Sequence, residues 1–199
     1  MNHRIVTVAA AAGLIFAATG ISQAAHCGID PAHTNTSFTV RHVMISQVRG
    51  EFAKLAGGLE VVGDDPTNAN ASVTIDAASI NTRARKRDAH LRSADFFDVA
   101  RFPTIAFASR KVERQGEARL KVEADPTIHG VTKEVTLDVD ELTPVIKDMP
   151  GNLRVGAHAT MRISRKDFGL LSNMPLEAGG VRVGDQVSIT IDVGLIKKA

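Results

Sequence analysis

Along most of this chain apolar residues recur at every second position. Phe38, Val40 and His42 alternate with Ser37, Thr39 and Arg41, and Val73 and Ile75 with Ser72, Thr74 and Asp76. The pattern returns at Leu120 and Val122, at Val135, Leu137 and Val139, and through Val155, Ala157, Ala159, Met161 and Ile163. It closes with Val187, Ile189, Ile191 and Val193. A period of two sets successive side chains on opposite faces of a strand. With the runs at 48–62 and 104–112, the alternation predicts about eight strands. Turn residues separate them: Gly63-Asp64-Asp65-Pro66, Arg114-Gln115-Gly116, His129-Gly130 and Asp148-Met149-Pro150-Gly151. Links this short predict antiparallel neighbours.

Some details modify this picture. Gly57-Gly58 inside the second strand predicts a bulge or sharp bend. Asp125-Pro126 interrupts the fifth strand; proline lacks an N–H, so an edge, bulge or local bend is expected there. Two connections are long, 81–102 and 166–184. In the first, Asp95 suits the N-cap of a short helix starting at Phe96, which Pro103 would end. Long connections in a small β domain are often functional and here could cover a barrel mouth. Eight antiparallel strands with one apolar face make either a sandwich or a closed barrel. A barrel of that size is filled by side chains or holds one small ligand.

Composition places the chain outside the cytosol. Arg4 precedes an uncharged apolar run at 5–18, and Ser22-Gln23-Ala24 offers the small residues that a signal peptidase reads. Residues 1–24 are therefore expected to be a signal peptide and 25–199 the domain, exported to the periplasm. The run is too short for a membrane-spanning helix, and no later segment is longer, so an integral membrane protein is not expected. Cys27 follows His26, not the small residue that lipid attachment requires; a lone Cys also rules out an internal disulfide. It is read as an incidental thiol near a loose N-terminus. Removing one Arg and no acid lowers the net charge from +2 to +1, which implies no strongly charged partner. The tract Arg83, Arg85, Lys86, Arg87 reads as a solvated loop, because the chain has no Trp or Tyr for base stacking, and nucleic acid is not an expected partner.

Catalytic signals are absent from the sequence. His26, His33, His42, His90, His129 and His158 form no HxH or HExxH pattern, and no GxSxG occurs. Neither catalytic residues, metal ligands nor a cofactor are assigned, and a non-enzyme is expected.

A set of segments then carries a resemblance. DPAHTNTSFTVRHVMISQVRGEF at 30–52, TIDAASINT at 74–82, RDAHLRSADFFD at 87–98 and FPTIAFAS at 102–109 come first. TIHGVTKEVTLDV at 127–139, SRKDFGL at 164–170 and LEAGGVRVGDQVSITIDV at 176–193 follow in order. The chain resembles the YceI-like family of periplasmic polyisoprenoid-binding proteins. The resemblance implies an all-β, eight-stranded antiparallel lipocalin-like barrel with one short helix between strands three and four. It implies a long apolar pocket for a polyisoprenoid or isoprenoid-quinone lipid. It departs at one point: members often carry Trp shortly after the DFG-like motif, where this chain has Leu171-Ser172-Asn173.

Strand parity and the resemblance together nominate a ligand-binding set. Its members are Phe38, Val40, His42, Phe52, Val73, Ile75, His90, Phe97, Ile105, Phe107, Val122, Leu137, Met161, Phe168 and Ile189. His42 shares a face with Phe38 and Val40; it either meets a headgroup or is a satisfied core histidine. His90 and Arg92 either guard the mouth or pin the loop through Asp88, Asp95 or Asp98. Of Phe96 and Phe97, one should plug the barrel end and the other touch ligand. Two alternatives to a carrier stay open: an exported stress or interaction protein with a filled barrel, and a metal-binding protein. The polar look of the exposed faces argues against a large apolar docking patch. A homodimer is left open.

Overall fold

The computed structural model describes residues 24–177 and 179–197. The expected export segment lies outside them, apart from its last residue, Ala24. Fourteen strands form one antiparallel sheet: β1 Ala24–Ile29, β2 Asn35–His42, β3 Ser46–Phe52, β4 Leu55–Val62, β5 Ala69–Asp76, β6 Ile80–Asn81 and β7 Thr104–Arg114. They continue with β8 Leu120–Ala124, β9 Thr127–Ile128, β10 Val131–Thr132, β11 Val135–Leu142, β12 Ile146–Lys147, β13 Leu153–Ser164 and β14 Val183–Lys197. One α-helix, α1 Arg85–Arg92, lies in the connection before β7.

The sheet closes. Its order runs β13-β11-β8-β7-β5-β4-β1-β14, and β14 returns to β13 in a ladder from Leu153↔Lys197 to Ser164↔Gln186. The ring has eight strands. β1 and β2 lie along successive halves of β14, split by a short 3-10 turn at Pro31–His33. Likewise β3 and β4 pair with β2 and β1 in turn. Closure pairs the sheet edges that an open sheet would leave free.

Three expectations need correction. The N-terminus is not loose: β1 sits in the wall between β4 and β14, with Cys27 opposite Leu59 and Lys197. Its sequence AAHCGI has too few apolar residues to show alternation, so only its partners reveal it. Gly57-Gly58 makes no bulge, because β4 pairs in unbroken register with both neighbours. The glycines serve close backbone approach instead. Gly57 has φ +141, and a Cβ on it would fall 2.2 Å from the Ser72 carbonyl oxygen; one on Gly58 would fall 2.4 Å from that of Cys27. The register shifts lie elsewhere, in β7 between Ser109 and Lys111, in β11 between Val139 and Glu141, and in β14 between Val183 and Val187.

The helix also starts earlier than expected. Asp95 caps nothing at Phe96, where the chain makes turns; α1 occupies 85–92 and follows Ala84 without a side-chain cap. Buried Asp88 explains the shift: its Oδ1 accepts from the Thr82 backbone N–H at 2.8 Å and from Thr82 Oγ1 at 2.5 Å. Arg87 donates to Thr82 Oγ1 and carbonyl at 2.7 and 2.8 Å, and Arg92 donates to the Ala78 and Ile80 carbonyls at 2.7 and 2.5 Å. The first long connection is thus bolted to the turn and short strand β6 that follow β5, at Ala78, Ile80 and Thr82. The expected break at Asp125-Pro126 is present, since β8 stops at Ala124. His129 (φ 52) and Gly130 (φ 74) turn β9 into β10, the left-handed pair that a tight hairpin requires.

Candidate functional site

The inner wall of the barrel follows from the registers. Around β13 and β14 the facing pairs are Val155–Leu195, Ala157–Val193, Ala159–Ile191, Met161–Ile189 and Ile163–Val187. β2 adds Val40 beside Val187 and Phe38 beside Ile189. On the other side Gly57 faces Val73, which faces Phe107, and Leu55 faces Ile75, which faces Ile105. β8 and β11 complete the ring with Val122 opposite Leu137. Each of these positions is apolar, and several are Ala or Gly, which leaves space at a barrel's centre.

Burial divides this wall into plug and lumen. One buried cluster, Ala77, Ile105, Ile128, Ile163, Phe168 and Leu170, closes the end crossed by the long connections, and Phe52, Ile75, Phe97 and Val131 pack on it. A second, Leu120, Ala124, Leu137, Val139 and Ala159, lies along the β8, β11 and β13 wall. Val135 and Met161 pack against both. Phe38, Val40 and Val73 are half-buried inward residues outside both clusters, while Ile189 packs on the first and Phe107, Val122 and Ile191 on the second, all of them half-buried as well. Side chains on the inside of a closed, filled barrel would lose nearly all contact with solvent. These inward residues keep part of their surface accessible.

The nominated residues fall into place accordingly. Phe38, Phe52 and Phe97 form an aromatic ladder with ring centroids 5.8 and 5.7 Å apart. Phe168 (1% exposed), Ile105 and Leu137 are buried in the two clusters; Phe107, Val122, Met161 and Ile189 pack against them half-buried, and Val40 and Val73 are half-buried outside them. Ile75 packs beside Phe52 on the plug. His42 ends β2 half-buried, and its ring makes no hydrogen bond among the described residues. His90 sits away from this interior: it is on the surface, bonded to Asp95 at 3.1 Å and edge-on to Phe96 at 5.0 Å. Arg92 pins the loop through carbonyls, not carboxylates.

Two arginines that the alternation did not single out fasten the barrel ends. Arg165, 4% exposed, donates to the carbonyls of Gly184 (3.0 Å), Ser172 (3.0 Å), Val183 (3.3 Å) and Leu170, and pairs with Asp185 at 3.2 Å. Burial pushes its guanidinium below the usual range, against the pull of Asp185. At the opposite end Arg154 bridges Asp30 (2.5 Å) and Asp148 (2.6 Å), while His33 Nδ1 also meets Asp30 at 2.8 Å. Hydrogen bonds from Arg154, aided by His33 and Asn152, hold both carboxyls down to about 2. A cavity of about 560 Å³ lies against this network, with Ile146, Val155 and Leu195 in its lining. Another of about 430 Å³ opens between β11 and β13, where Val135, Ile163 and Phe168 lie beside Lys133, Glu134 and Arg162. Among the described residues no group of three or more His, Cys, Asp or Glu could hold a metal ion. Also among them, no helix is long and apolar enough to cross a membrane.

A closed eight-stranded antiparallel barrel with an apolar interior and helix-bearing loops over one end defines the class. Residues 28–195 match the model of the YceI-like domain, and the chain belongs to that family. A UPF0312 protein of Staphylococcus aureus is 38% identical over 79% of this chain and 90% of its own. The Campylobacter jejuni YCEI protein superposes with a TM-score of 0.67 at 30% identity, over 80% of this chain and 90% of that one. A polyisoprenoid binding domain from Saccharophagus degradans, implicated in plant cell wall breakdown, shares the fold with a TM-score of 0.65 at 17% identity, over 88% of this chain and all of its own.

Proposed function

We propose that this protein is an exported, non-catalytic carrier that holds the hydrocarbon chain of a polyisoprenoid or isoprenoid quinone inside its barrel. The observation that carries this is the inner wall: continuous, apolar and only half-buried across five or more strands. The name of the Saccharophagus degradans relative supports the class of ligand. The apolar run at 5–18 and the small residues before Ala25 support export to the periplasm, and cleavage after Ala24 would leave β1 nearly whole.

Physical chemistry makes the interior sufficient. Each buried CH₂ contributes roughly 0.8 kcal/mol, so a few prenyl units offset the cost of association without directional bonds. Polar contacts are needed only near a headgroup, a role this reading gives to half-buried His42 at the end of β2. The test is organic extraction of the purified protein followed by lipid mass spectrometry, with uptake of added quinone as the second arm. A prenyl lipid in near-stoichiometric amount is expected. Failure of both recovery and uptake would sink the proposal. Met161→Trp, which fills the lumen between Ile189 and Ala159, should reduce occupancy at least tenfold while the barrel still melts cooperatively.

A further inference from the structure

We infer that the turn between β2 and β3, with the loop beside it, is a membrane-docking edge that seats the protein on an anionic phospholipid bilayer. Four large apolar side chains stand in solvent here: Ile45 at 82% exposure, Leu171 at 64%, Met174 at 52% and Met44 at 48%. The sequence's polar strand faces gave no hint of such a patch. The two segments are stitched into one edge. The 173–183 segment makes a narrow hairpin, in which the Arg182 N–H donates to the Met174 carbonyl at 2.9 Å and Pro175 bridges Val181. The Val43 N–H then donates to the Arg182 carbonyl at 2.7 Å, and the Met44 side chain lies over Gly180.

The turn itself is built against local preference. The Ile45 N–H reaches the His42 carbonyl at 3.3 Å, with Val43 (φ 44) and Met44 (φ 62) as central residues. Two successive left-handed residues favour Asn-Gly, and a β-branched Val there is an outlier. The hairpin at the opposite end, by contrast, relieves its turn with Gly151 at φ +99. Folding alone gives no reason to place Val and Met at 43 and 44; an apolar tip that must project does.

Charge selects the occupant. Arg41, Arg49 and Arg182 are exposed around the edge and make no ion pair among the described residues. Asp167 and Glu177 are the acids of the 166–184 connection, while Asp185 is taken up by Lys166 at 2.8 Å and Arg165 at 3.2 Å. An apolar tip with a basic rim matches an anionic lipid surface, where each basic residue adds attraction and the apolar residues enter the headgroup layer.

The experiment is vesicle co-sedimentation of the naturally processed protein, using phosphatidylglycerol–phosphatidylethanolamine vesicles and phosphatidylcholine vesicles. Binding to the anionic vesicles only is expected. Ile45→Asp should weaken it at least tenfold and Arg182→Glu several-fold, while Ile146→Asp, at the other exposed apolar end, should leave it unchanged. The double change Val43→Asn with Met44→Gly keeps the test sound if Asp disturbs folding: it should raise the melting temperature and still weaken vesicle binding. No pelleting of the wild-type protein, undiminished binding by Ile45→Asp, or equal loss in Ile146→Asp would overturn the inference. So would self-association that Ile45→Asp abolishes in the absence of vesicle binding, which would assign the edge to a second copy of this chain. Lipid content is measured on every sample, so an empty barrel that still docks through Ile45 would defeat the carrier reading and leave this one standing.

Discussion

Arg165 and Arg154 fasten opposite ends of the same barrel by different chemistry. Arg165 is inside the protein and spends its donors almost wholly on backbone carbonyls from Leu170, Ser172, Val183 and Gly184. Arg154 has a side chain 27% exposed and bridges two carboxylates, Asp30 and Asp148. The first clamps an otherwise irregular loop onto β14, and apart from the Asp185 carboxylate its acceptors cannot titrate. The second ties the start of the first strand pair to the β12–β13 hairpin through groups that can lose charge. One end should therefore be held at any moderate pH, and the other should loosen in acid.

The largest effect expected from breaking this comparison comes from Arg165→Met. It takes the donor from the buried Leu170 carbonyl and from the part-buried carbonyls of Ser172 and Gly184, while that of Val183 keeps Asn173 Nδ2 at 2.8 Å; an unpaired buried group costs about 1–3 kcal/mol, so a loss of about 3 kcal/mol in urea unfolding is expected. Arg165→Lys should recover little, because an ammonium cannot span the carbonyls that a planar guanidinium reaches. Full stability in either variant would show that the loop is held by Phe168 and Leu170 packing alone. Next in size is Asp88→Ala, which leaves Arg87 as the only hold of α1 on Thr82 and should cost about 2 kcal/mol, because two donors to a buried carboxylate lose their partner. Hydrogen exchange should rise first across 82–103, with the β13–β14 ladder still protected. Smaller again, Arg154→Met should lower the melting temperature by less than Arg165→Met does.

These anchors also mark how far the sequence could be read. Alternation exposed the strands whose inner positions are Val, Ile, Leu or Phe, and so most of the wall. It missed β1, whose inner face is built on Cys27 and Ile29 with small neighbours. It missed α1 because RKRDAHLR has almost no apolar face; the helix is set by Asp88 bonding to Thr82, a contact without a period. Within the nominated site, parity placed Val40, Phe107 and Ile189 on the inner wall. It could not separate the lumen from the plug, because that depends on which loop residues fold over the end. Phe168 and Leu170 come from a connection with no alternation and are buried all the same. The resemblance, not the periodicity, chose barrel over sandwich.

The finest test of the two ends is pH. Asp30 and Asp148 titrate at about 2 in the folded protein, below their ordinary 3.8, chiefly because Arg154 donates to each; His33 also faces Asp30, and Asn152 faces Asp148. A depressed carboxylate favours folding while it is charged, so this contribution is complete above the ordinary value and is lost as pH falls through 4 toward 2. In that window the unfolded chain binds more protons, and stability must rise with pH. The gap in urea midpoint between the wild-type protein and Arg154→Met should then shrink as pH drops from 5 to 2. The gap to Arg165→Met should shrink far less, since four of its five acceptors are carbonyls that do not protonate there and only Asp185 is a carboxylate. If both gaps closed together, the two ends would be one cooperative acid-sensitive unit, and the contrast between carbonyl-held and carboxylate-held arginines would have no consequence for stability.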